Sequence, residues 1–104
     1  MSIEDTSIVD FIGLDEQKNV RLTISDHLSW GDEQHLFLLQ EKVNCYISFI
    51  ESGEILEKYP ESMNKRVIID LVCKFSPSTE DIEFIKKIAE IVKPIAGFEF
   101  KIIA

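Results

Sequence analysis

Two histidines, a serine and several carboxylates fall close together in one stretch: Asp26, His27, Ser29, Asp32, Glu33 and His35, with Trp30 among them. A histidine beside a carboxylate can act as a general base, and a serine near such a base is a candidate nucleophile. The stretch therefore offers a small hydrolase or ligand-binding enzyme built on Asp26, His27 and Ser29. Spacing alone does not identify the third group that would orient the imidazole. A plainer reading has Ser29 or Asp32 capping a helix, Trp30 packing over its entry and His27 ending a strand. A metal site from His27, Asp32 and His35 fits less well, because the two histidines straddle a turn instead of sharing a helix face. No metal or other cofactor is expected. The glycines Gly13, Gly31, Gly53 and Gly97 never cluster, so no phosphate cradle is expected either. Cys45 and Cys73 form no Cys-x-x-Cys pair and read as reduced thiols, Cys73 as a small core residue.

Periodicity supplies the elements that must position these residues. Val20, Leu22 and Ile24 alternate with Arg21, Thr23 and Ser25, which predicts a strand buried on one face. The run Ser7 to Ile12 is similar in composition, and the turn-rich Gly13 to Asn19 between the two predicts a β-hairpin. Leu36, Leu39, Val43, Tyr46, Ile47 and Ile50 recur at helical spacing and stop at Ser52-Gly53. A charged connection from Glu54 to Lys65 follows, with one further helical turn around Ile55-Leu56. Val67, Ile69, Leu71, Cys73 and Phe75 then alternate as a strand. Ser78 or Thr79 caps a second main helix, whose apolar stripe is Ile82, Phe84, Ile85, Ile88, Ile91, Val92 and Ile95. Phe98, Phe100 and Ile102 mark a terminal strand. The expected fold is a single α+β (α/β) domain over 1–104: a two-layer sandwich in the order β-β-α-β-α-β, its four-stranded mixed sheet carrying both helices on one face.

The chain has 104 residues, with 19 acidic against 11 basic and a net charge of −8. That balance disfavours nucleic acid and anionic membrane surfaces as partners. No apolar run approaches the roughly 20 residues of a bilayer span, and the N-terminal residues Met1 to Thr6 lack the features of a secretory signal, so a cytoplasmic location is expected. Charge is uneven: residues 1–61 sum to −9 and residues 62–104 to +1. Glu51, Glu54, Glu57 and Glu61 form the densest acidic stretch. It is either a solvated face that maintains solubility or a docking surface for a basic protein.

Apolar surface is in excess. Leu38, Cys45 and Phe49 fall outside the main stripe of the first helix. The sheet face turned away from the helices is expected to present Ile8, Ile12, Ile68, Val72 and Ile103 between Arg66, Asp70 and Lys74. Leu38, Cys45, Phe49, Ile68 and Val72 are thus candidates for a homodimer interface, unless the N-terminal segment or the Glu54 to Lys65 connection covers them.

The segment Asp26-His27-Leu28-Ser29-Trp30, followed by Lys42-Val43-Asn44-Cys45-Tyr46 on the first helix, resembles a family of small bacterial proteins of unknown function. The resemblance covers most of the chain. It implies a bacterial cytoplasmic protein and transfers no activity and no catalytic residue. The leading expectation is a non-enzymatic, self-associating interaction module whose acidic side binds a basic protein; an immunity or antitoxin-like role would suit its size and charge. The competing expectation is the enzyme on Asp26, His27 and Ser29. A polar pocket converging on those side chains would separate the two.

Overall fold

The computed structural model describes residues 3–103; Met1 and Ser2, the first residues of the stretch expected to lack a secretory signal, and Ala104 lie outside them. The strands are β1 (Phe11–Leu14), β2 (Val20–Asp26), β3 (Val67–Cys73) and β4 (Gly97–Ile102), and the helices are α1 (Glu33–Glu51), α2 (Glu54–Lys58) and α3 (Thr79–Val92), with a 3-10 turn at Pro60–Ser62. The four strands form one sheet in the order β1-β2-β3-β4. β1 runs antiparallel to β2, whereas β2, β3 and β4 are parallel. The expected β-β-α-β-α-β order and mixed sheet are both present.

Alternation in β2 and β3 divides the sheet into two faces. Val20, Leu22, Ile24, Ile69, Leu71 and Cys73 are fully buried in one cluster with Leu39, Val43, Tyr46 and Phe49 of α1 and Ile85, Ile88 and Val92 of α3. Both long helices therefore cover the same face. On the other face the Arg21 guanidinium reaches Asp15 (3.0 Å), Asp70 (2.8 Å) and Glu99 (3.1 Å), joining the hairpin turn to three strands. Asp32 caps α1 by accepting the Gln34 N–H, and Ser78 with Asp81 forms a reciprocal capping box on α3.

Several expectations need correction. The first strand begins at Phe11 and not at Ser7, because the chain before it turns inward. There an Asp10 carboxylate oxygen accepts the Ser25 N–H, and the Ile3 N–H donates to the Ser25 carbonyl, so a side chain and a more distant residue replace strand pairing along the edge of β2. Ile3 itself is fully buried, worth about 1.5–3 kcal/mol of apolar burial. Ile12 pairs with Leu22 and so lies on the helix side, not on the open face. Ile68 does lie on the open face but is buried: a Cβ on neighbouring Gly97 would stand 3.2 Å from Ile68 Cγ1 and 3.3 Å from an Arg66 guanidinium nitrogen. Asp70, expected as a surface charge, is buried against Arg21. The stripe of α3 is narrower than expected, since Ile85, Ile88 and Val92 face the sheet while Ile82 and Ile91 are exposed at its margins. Phe75 lies past the end of β3 and is exposed.

Candidate functional site

Asp26 ends β2 in the buried phase of the strand, one step beyond Val20, Leu22 and Ile24, and its side chain meets α1. There His35 Nε2 lies 2.6 Å from Asp26 Oδ2, and His35 Nδ1 lies 3.0 Å from the Ser29 carbonyl oxygen. A carbonyl has no proton to give, so Nδ1 must donate to it. The Nε2 contact then contains a single proton between imidazole and carboxylate, and the pair is neutral overall wherever that proton sits. Asp26 Oδ1 accepts the Leu28 N–H at 3.1 Å. Trp30 stacks on the imidazole at a centroid distance of 4.0 Å and anchors its indole N–H on the Phe75 carbonyl. Beneath the pair, Cys73 Sγ stands 4.0 Å from Asp26 Oδ2, and its thiol is pushed up to about 12, first by burial and then by that carboxylate.

This centre is closed. The side chains of His35 and Asp26 are 2% and 0% exposed, and every polar atom on them has a partner inside the chain. A general base must reach the proton it removes, and neither group reaches solvent. The chemistry expected of Asp26, His27 and Ser29 is also dispersed. His27 points outward and pairs with Glu4 at 3.0 Å, whereas Ser29 contributes its backbone carbonyl to His35. Among the described residues no hydrogen bond joins the Ser29 hydroxyl to either imidazole. His27, Asp32 and His35 go to three separate tasks: a surface contact with Glu4, a helix cap and the buried pair.

A second buried polar centre was not expected from the sequence. Lys42 on α1 is fully buried, and its ammonium uses all three protons: on the carbonyls of Asp5 (2.5 Å) and Ile8 (2.8 Å) and on Asp10 Oδ1 (2.7 Å). One turn along the helix, the Tyr46 hydroxyl accepts the Asp10 N–H at 2.8 Å and donates to the Thr23 carbonyl. Burial pushes the Tyr46 phenol up; the bond from the Asp10 N–H opposes that rise, and the Asp10 carboxylate adds to it. Lys42, Asp10 and Tyr46 thus fasten the N-terminal segment between α1 and β2. The signal for both centres lay in the phase of the helix: His35, Leu39, Lys42, Val43 and Tyr46 follow one face at i, i+4, i+7, i+8 and i+11.

A concavity of about 790 Å³ lies between the chain at residues 7–12 and the helices α1 and α2, touching the second centre at Asp10. Ile8, Val9, Ile12 and Phe49 give it an apolar floor, with Ser48, Ser52, Glu54 and Lys58 along the helix side. Glu51, Glu54, Glu57 and Glu61 are all exposed, and among the described residues none of them is held in an ion pair. Of the residues named for a dimer interface, Phe49 and Ile68 are buried within the chain itself, and Leu38, Cys45 and Val72 are half-buried. The exposed apolar side chains are others, including Phe11, Phe37, Ile91 and Ile103.

The fold and its sealed polar centres define a two-layer α+β protein whose accessible features are a groove, an acidic face and scattered apolar side chains. The chain belongs to a family of unknown function, DUF6572, whose model matches residues 1–104. Comparison with curated proteins and with solved structures returned no significant match. Among the described residues no helix is long and apolar enough to cross a membrane, and no three His, Cys, Asp or Glu side chains gather closely enough to hold a metal ion.

Proposed function

We propose that the protein is a non-enzymatic interaction module that binds a basic protein partner through Glu51, Glu54, Glu57 and Glu61. The observation that supports this reading is that the four exposed carboxylates lie on adjoining elements, the end of α1, α2 and the 3-10 turn, with no cation among the described residues pairing them. Unpaired like charge on a chain of net −8 favours long-range attraction of a cationic surface and raises the rate of encounter. The closed state of the Asp26 and His35 pair counts against the enzyme alternative.

The test is to capture the partner from the native cell, purify it and measure association kinetics at two salt concentrations. Changing the four glutamates to glutamine should slow association by about tenfold at low salt and flatten the salt dependence. Unchanged kinetics would reject the acidic surface, and a substrate turnover abolished by His27→Ala would restore the enzyme reading. Self-association belongs to the same proposal. Its support is the exposure of Phe37 and Ile91, 56% and 64%, on the helix layer. Light scattering that shows a strict monomer at high concentration would remove it.

A further inference from the structure

We propose that the groove beside β1 receives an extended, basic and apolar segment of the partner, which adds to the sheet as a fifth strand. The proposal rests on the acidic-face reading above and says how that face is used. β1 is an outer strand of the sheet. Within β2, the Val20 N–H bonds the Arg66 carbonyl on the β3 side, so the alternate residues Arg21 and Thr23 direct their backbone groups toward β1. Their opposite numbers Gly13 and Phe11 face back, which leaves the N–H and C=O of Ile12 and Leu14 directed outward along the free edge.

A strand added at that edge would find more than backbone partners. The groove follows residues 7–12, so side chains on one face of the incoming segment would meet Ile8, Ile12 and Phe49. Ile8 is 37% exposed, an apolar side chain already at the groove and uncovered by the chain. The charges select the occupant. Glu54 lines the groove with Lys58, and the exposed Glu51 and Glu57 stand next in the chain to the lining residues Ser52 and Lys58, so carboxylates outnumber the one lysine along this stretch. Strand addition takes its affinity from main-chain bonds and its specificity from alternate side chains. The matching chemistry here is alternating apolar and cationic residues. A second copy of this chain would bring its own acidic face to the same place, which disfavours it as the occupant.

The probe is an alternating Lys-Val heptapeptide, with Glu-Val and Lys-Gly heptapeptides of equal length as controls, added to the intact protein. Amide NMR and hydrogen exchange should show Lys-Val binding that protects the Ile12 and Leu14 amides, and Glu-Val should not bind. Ser48→Trp adds bulk to the groove from an exposed helix position and should weaken Lys-Val binding at least tenfold, with circular dichroism confirming the fold. Lys-Val and Lys-Gly binding equally well, indifferent to Ser48→Trp and without protection at Ile12 and Leu14, would overturn strand addition while leaving the acidic face standing. Binding of both basic peptides unchanged by the four glutamate-to-glutamine substitutions would overturn the acidic face itself. Protection at Ile12 and Leu14 that disappears on dilution without peptide would assign the edge to a second copy and overturn the proposal.

Discussion

Lys42 Nζ lies 2.7 Å from Asp10 Oδ1, with both side chains sealed from water. Removing one member of such a pair leaves the other as an uncompensated buried charge, which costs about 3–5 kcal/mol. Lys42→Met should therefore destabilise strongly, and so should Asp10→Ala, which also frees the Ser25 N–H. The double variant should cost less than the sum of the two, because the second change removes the charge that the first one stranded. Urea unfolding of the four proteins of this cycle measures the coupling.

The two histidines should behave oppositely. His35→Ala strands Asp26 and removes the Trp30 stack, so a loss of about 3–5 kcal/mol is expected. His27→Ala breaks an exposed pair with Glu4 and should change stability by at most about 1 kcal/mol. Thermal unfolding of both variants checks the order, and equal effects would contradict the burial of His35.

Cys73 makes alkaline stability testable. Its folded thiol is pushed up to about 12 from an ordinary value near 9, so the folded state keeps a proton that the unfolded state loses. The contribution is complete below about pH 9 and is lost as pH rises toward 12, at up to about 1.4 kcal/mol per pH unit. Cys73→Val should remove that slope. Tyr46, also raised, destabilises both proteins alike at high pH and cancels in the comparison. Urea midpoints across this range give the result, and a thiol reagent should modify Cys45 before Cys73 in the native protein.

On the acid side, the Asp15 carboxyl sits below its ordinary value. Partial burial raises it, but the Asn19 N–H, the Arg21 guanidinium and the Gln17 N–H together lower it further. Its contribution is present above an ordinary value near 3.8 and is lost as pH falls through the depressed one. Arg21→Leu should flatten the acid limb of a stability profile, read from denaturant midpoints at successively lower pH.

The strands and helices were legible because their signals are periodic. Val20, Leu22 and Ile24 mark β2 by alternation alone, and Ser78 or Thr79, as a capping residue, marks the start of α3. The polar centres were legible only in part. Lys42 and His35 occupy the buried phase of α1, but their residue types suggest a surface, and the partners that resolve the conflict come from distant segments. Asp10 is 32 residues before Lys42, and no local pattern joins them. The assignment of the open sheet face failed at Ile12 for a related reason: the face is set by the pairing of Ile12 with Leu22, and a one-residue change of that register would reverse the side on which each residue falls.

Arg21 binds Asp15 within its own hairpin, then Asp70 and Glu99. During synthesis these carboxylates leave the ribosome in that order, so the guanidinium is satisfied in stages as the sheet grows outward from β2. A nascent chain halted before residue 97 has β3 as its outer strand, with Ile68 and Val72 lacking the neighbour that β4 provides. An uncovered strand edge of this kind is a template for pairing with other chains. β4 thus covers the edge of β3 that a shorter nascent chain would leave open to other chains.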